Sequence, residues 1–155
     1  MNYRVVCVGK IKEEFYRKRV EEYAAMINKR HRLQIQELQD ERTYENMSDA
    51  ERKKILHVEG ERILHVLQPD SKELVVALCI DGKQYSSDAW SRRVNRLAQE
   101  KEYQQITYVI GGSLGLDELV VKRSDLKLSF SNLTFPHQLM RVMLLEQIAN
   151  NSIYL

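Results

Sequence analysis

Short apolar runs alternate along the chain with longer stretches in which apolar residues recur every three or four positions, and the alternation repeats five times. Residues 3–8 contain Val5-Val6-Cys7-Val8, a run fitting a buried strand and too short for a helix. Gly9 ends it, and Tyr16, Val20, Tyr23, Ala24 and Ile27 follow at helical spacing. Residues 33–38 alternate apolar and polar, as a half-exposed strand does. Ser48 with Glu51 three residues on forms a capping box and predicts a helix to about residue 67, closed by Pro69. Residues 73–80 give the strongest strand signal, and Asp81-Gly82 predicts a turn after it. Ser86 or Ser87 caps a helix with Trp90, Val94 and Leu97 as its apolar positions. Residues 106–110 form a fourth strand ended by Gly111-Gly112, then a short helix spans about 116–124 and a fifth strand spans 126–130. After the Ser131-Asn132-Leu133-Thr134-Phe135-Pro136 loop, a last helix spans about 137–150.

Strands alternating with helices predict an α/β fold: a mostly parallel sheet with crossover helices on both faces. A length of 155 residues with no break in composition fits one domain over 1–155. The net charge of +2 is too small to point to nucleic acid by itself. Lys10, Lys12, Arg17, Lys18 and Arg19 are interleaved with glutamates and read as a solvated face. Lys122, Arg123, Lys127 and Arg141 are better placed for phosphate contacts. Cys7 and Cys79 fall in apolar runs without zinc-type spacing, which predicts buried, reduced thiols. The first apolar run is too short for a signal peptide and no segment approaches a membrane span, so a cytoplasmic protein is expected.

In open α/β sheets ligands bind beyond the carboxyl ends of the strands. Three such ends stand out: Leu78 to Gly82, Ile110 to Gly115, and Phe130 to Pro136. Gly111-Gly112-Ser113-Leu114-Gly115 is a glycine-rich loop without the spacing of a dinucleotide fingerprint or a phosphate-binding P-loop, and by itself it reads equally well as a tight turn into a short helix. The 129–137 segment mixes polar Ser131, Asn132 and Thr134 with apolar Phe130, Leu133 and Phe135, which suits a ligand with a flat polar edge and apolar faces. His137 opens the last helix and Arg141 lies one turn on, on the same face. His31, His57 and His65 read as surface or strand-edge residues without partners. No GxSxG elbow is present, which argues against a serine hydrolase.

The segments VIGGSLGL (109–116), LSFSNLTFPHQLMRV (128–142) and LLEQI (144–148) closely resemble the bacterial large-subunit ribosomal RNA pseudouridine N3-methyltransferases of the SPOUT class. The opening YRVVCVGKIKEEFY and the ENMSDAERKKILHVEGERIL segment are similar to that family too. The resemblance implies a small α/β domain with a deep C-terminal trefoil knot, spanning roughly 74–150. It implies S-adenosylmethionine as cofactor, held by Leu78, Gly111, Phe130, Ser131, Asn132, Leu133, Thr134 and Phe135. It also implies a homodimer whose substrate is a pseudouridine of ribosomal RNA in the assembled ribosome. Methylation at N3 requires loss of the ring proton, and His137 is the expected base, with Arg141 holding substrate or its developing anion.

One segment departs from the family. After Ile148 the pattern expects a Tyr-Arg pair and a basic tail, whereas this chain reads Ala149-Asn150-Asn151-Ser152-Ile153-Tyr154-Leu155. Asn-Asn-Ser is poor helix material and predicts early fraying. The expectation is intact cofactor binding with weakened turnover. Two alternatives remain: a cofactor-competent dimeric RNA-binding protein without turnover, and methylation of a different RNA site.

Overall fold

A computed structural model of the chain describes residues 1–67 and 72–151. The elements run β1 (Asn2–Val8), α1 (Glu14–Asn28), β2 (Arg32–Leu38), α2 (Asp49–Val66), β3 (Glu73–Gln84), α3 (Ser87–Glu100), β4 (Gln105–Ile110), α4 (Glu118–Arg123), β5 (Leu126–Ser129) and α5 (His137–Asn151). The strands form one sheet in the order β2-β1-β4-β3-β5, and every pairing is parallel.

The continuous apolar runs are explained by burial on both faces, as parallel sheets require. Val5, Cys7, Leu74, Val76, Ile106 and Tyr108 face a core completed by Val20 and Ile27 of α1, Trp90, Val94 and Ala98 of α3, and Leu144, Leu145 and Ile148 of α5. The intervening Val6, Val8, Val75 and Val109 face a second core with Ile63 and Leu67 from α2 and its end and Val120 of α4. Helices therefore cover both faces, α1, α3 and α5 on one and α2 and α4 on the other. The edge strand β2 has no fully buried residue, matching its alternating sequence.

The capping signals are realised. The Ser48 hydroxyl accepts the Glu51 amide at 3.1 Å and donates to the Glu51 carboxylate at 3.0 Å. Of the two candidate caps for α3, Ser86 takes the role, accepting the Ala89 amide at 3.1 Å. Pro69 lies outside the described residues.

Two expectations are corrected. Asp81-Gly82 is not a turn: β3 continues to Gln84. The signal misleads because Leu78 and Lys83 both stand opposite Leu128 of β5, so residues 79–82 are extra in the register and form a bulge within the strand. Cys79 is consequently half-exposed rather than buried like Cys7. Helix α5 runs from His137 through Asn151, close to the expected end near 150. Burial of Leu144, Leu145, Ile148 and Ala149 overrides the weak propensity of the asparagines. The departing residues 152–155 lie outside the described residues.

Candidate active site

The carboxyl ends of β3, β4 and β5 open into a cleft of about 1060 Å³. That volume is at the upper end for small-molecule sites and accommodates a drug-sized ligand with room for part of a second. The three strand ends singled out in the sequence meet here. Leu78, Gly111, Phe130, Ser131, Leu133, Thr134 and Phe135 all line the cleft, and His137 forms part of its wall. Asn132 does not line it; its side-chain oxygen accepts a 3.0 Å hydrogen bond from Gln84 at the end of β3.

The glycine loop shapes one wall. The Gly115 amide donates to the Gly112 carbonyl at 3.1 Å, closing a tight turn directly after β4. Gly115 has φ of 88°, a left-handed conformation that a side chain would strain. A Cβ on Gly111 would overlap the backbone of Gly115, so only glycine permits the chain to fold back on itself here. The opposite wall is the 130–136 loop. Within it the Ser131 hydroxyl accepts the Leu133 amide at 3.0 Å, and the Ser129 hydroxyl donates to the Ser131 carbonyl at 3.1 Å. These short-range bonds give an irregular loop a fixed shape. Leu133 is left 69% exposed at the mouth, with Ile80 52% exposed across from it.

His137 and Arg141 share a face of α5, but they do different things. His137 stands at the cleft wall beside Gly9 and Asp40. Burial, the neighbouring Arg141 charge and Lys12 hold its imidazole below the ordinary value of 6.5, with Asp40 opposing them in part. A neutral imidazole is a proton acceptor. Arg141 is only 1% exposed and does not line the cleft. Its guanidinium donates to the Glu37 carboxylate at 2.7 Å and to the Gly9 carbonyl at 3.1 Å. These bonds link α5 to the ends of β1 and β2. Sequence spacing places residues on a helix face without saying what covers that face, and here the covering element comes from more than a hundred residues upstream.

Lys122 and Lys127 are exposed and line the cleft. Arg123 is half-buried beside them. His57, expected without partners, lies 3.0 Å from Glu61 and 3.4 Å from Asp117, and His31 packs edge-on against Tyr3. Cys79, Ile80 and Asp81, within the strand end singled out in the sequence, also line the cleft, carried there by the β3 bulge rather than by a turn. The one available signal of that bulge was a turn-type Asp-Gly pair directly after a run otherwise fit for a strand. Among the described residues no His, Cys, Asp or Glu cluster could hold a metal, and no helix is long and apolar enough to cross a membrane.

Comparison with known proteins decides which family of sites this is. The model of the family described as "Predicted SPOUT methyltransferase" matches residues 1–150. The chain belongs to the SPOUT methyltransferase family. It is similar to a protein of Methanococcus maripaludis named putative ribosomal RNA large subunit methyltransferase H, with 47% identity over 148 residues, 96% of this chain and 91% of the relative. It is also 42% identical, over the same share of both chains, to the ribosomal RNA large subunit methyltransferase H of Leuconostoc mesenteroides. SPOUT membership identifies the chain as a methyltransferase.

Proposed function

We propose that the protein transfers a methyl group from S-adenosylmethionine to N3 of a pseudouridine in large-subunit ribosomal RNA. The observation that carries this reading is the convergence of Leu78, Gly111 and the 130–135 loop on one cleft with His137 at its edge. The fit to the cofactor is supported by the tight glycine turn that forms one wall and by the apolar side chains of Leu78, Phe130 and Phe135 in the lining. When bound, S-adenosylmethionine supplies an activated methyl group on a sulfonium, so positioning provides much of the acceleration.

The residues of the chain supply the rest. The cleft walls hold the donor while the base enters from the mouth between Ile80 and Leu133. Neutral His137 accepts the N3 proton as the new bond forms. Arg141 acts as a positioning residue: tied to Glu37 and Gly9, it anchors the start of α5, and with burial its charge lowers the affinity of the neighbouring imidazole for a proton. Lys122 and Lys127 at the rim attract the RNA backbone. The exposed Leu133 and Ile80 support a homodimer in which a second copy covers part of the mouth. In this reading residues 74–150 are threaded as a trefoil knot within a single domain. A cytoplasmic enzyme acting on assembled ribosomes completes it.

The test is transfer of radiolabelled methyl groups to ribosomes lacking the modification, with the product nucleotide identified by mass spectrometry. Label at N3 of a pseudouridine is expected. Cofactor binding and ribosome binding without label would leave the RNA-binding alternative standing, and label on another nucleotide would move the substrate.

A further inference from the structure

The glycine loop does not rest on its own turn alone. Its underside meets α2, an element that contributes nothing to the lining of the cleft. Glu59 of α2 is 4% exposed, a rare degree of burial for a carboxyl group. Its Oε2 accepts the Glu41 amide at 2.9 Å. Its Oε1 lies 3.2 Å from where a Cβ on Gly112 would stand, so the carboxyl group presses directly against the loop. Next in sequence, Gly60 packs so closely on Asp117 that a Cβ on it would come within 2.8 Å of the Asp117 side chain. Asp117 stands at the N-cap position of α4, the helix that leaves the loop, without a side-chain capping bond, and it also lies 3.4 Å from His57. The strand-to-helix connection after β2 reaches the loop from the other side, where Ser113 donates to Thr43 at 3.4 Å.

We infer that Glu59 is a positioning residue for methyl transfer, a buried strut that holds residues 41–43 and the Gly111–Gly115 loop in the geometry that receives the donor. The inference rests on the reading that this loop binds S-adenosylmethionine. Burial raises the Glu59 carboxyl group above its usual range, partly offset by the Glu41 amide, and the adjoining Asp40 raises it further, while Arg62 works against the shift. The role assigned here needs an acceptor of this length and does not depend on charge. Without it the Glu41 amide loses its partner and the underside of Gly112 loses its support. The loop then has to be ordered at the moment the donor binds, and the effect falls on cofactor affinity rather than on RNA affinity.

The experiment compares Glu59→Ala, Glu59→Asp and Glu59→Gln with the wild-type chain, measuring the Kd for S-adenosylmethionine and for the product S-adenosylhomocysteine by calorimetry, the KM for ribosomes, and the thermal midpoint. Glu59→Gln keeps length and acceptor and should bind the cofactor within about twofold of wild type, whereas Glu59→Asp is too short and should raise both Kd values about tenfold, the effect of one unsatisfied buried hydrogen bond. The KM for ribosomes should stay within about twofold in all three. A folded Glu59→Ala or Glu59→Asp that binds the cofactor as wild type does would overturn the proposal, and so would a Glu59→Gln as weak as Glu59→Asp. If Glu59→Ala does not fold, the Asp and Gln pair decides alone. Failure of the wild-type chain itself to bind either ligand would instead sink the reading of the cleft.

Discussion

At the amino-terminal end of the sheet, Asn2, Gln105 and Glu73 stand in register across β1, β4 and β3. The Glu73 carboxylate, 3% exposed, accepts from Arg4 at 3.0 Å, from Gln105 at 2.8 Å and from the Thr107 hydroxyl, and Arg4 also donates to the Val66 carbonyl at 2.9 Å. At the carboxyl end the same strands run out into the bulge, the glycine loop and the 130–136 loop, which surround open space. One end turns its polar groups on each other, and the other leaves a cleft lined by apolar and polar groups together. The difference teaches where function is to be sought in a parallel sheet. The strand ends that close on themselves contribute stability, and the ends from which loops diverge are available for chemistry. Arg141 shows that the boundary is not simply the end of the sheet, because it lies near the functional end and is nevertheless taken up by Glu37 and Gly9.

The largest expected effect tests the closed end. Glu73→Ala leaves the half-buried Arg4 without its counter-charge and should cost about 3 kcal/mol, the lower end for breaking buried ion pairs. Urea unfolding measures it. The cofactor Kd of the folded variant should be unchanged, and a large change would break the separation of the two ends.

The converse holds for His137→Ala. It should lower kcat about a hundredfold, the loss of a general base, with the cofactor Kd and the urea midpoint close to wild type. Its protonation gives an independent check. The folded-state imidazole is held below 6.5, so as pH falls through 6.5 the unfolded chain takes up the proton first and stability declines. The decline levels off once pH passes below the folded-state value, and above 6.5 the contribution vanishes. The kcat profile should retain activity to below pH 6.5, since the neutral base persists there. A His137→Gln variant should lose that part of the stability slope, and an unchanged slope would remove the histidine from the account.

Gly111→Ala adds one methyl where the loop doubles back against Gly115. Overpacking of this kind typically costs about 2 kcal/mol, and here it should appear mainly as a cofactor Kd raised roughly thirtyfold. If the cost appeared in the urea midpoint with the Kd unmoved, the glycine loop would belong with the closed end.

Much of this contrast was legible in the sequence. The β-α repeat, both serine caps and the three strand ends that meet at the cleft follow from local pattern, because apolar periodicity and capping chemistry act over a few residues. The bulge after Leu78 was not legible, since an Asp-Gly pair reads as a turn unless the partner strand is known to pair on both sides of it. Nor was the fate of Arg141, because Glu37 is 104 residues away in sequence and only the fold brings it within 2.7 Å. Glu59 was hidden for the same reason: nothing in HVEGERIL distinguishes the glutamate that is buried from the one that is exposed.

The smallest expected effect tests whether charge, too, differs between the ends. Lys127 lies exposed at the cleft, while Lys72 lies exposed just before Glu73, at the closed end. Each phosphate contact by a lysine steepens the fall of log affinity with log salt by about 0.9 for a duplex and 0.7 for a single strand. Lys127→Ala should reduce the slope for ribosomal RNA binding by about that much and weaken binding only a few-fold at moderate salt. Lys72→Ala should leave both slope and affinity unchanged. Equal losses in the two variants would mean that RNA is held by a diffuse field over the whole molecule. The two ends would then differ in how they are packed and not in what they attract.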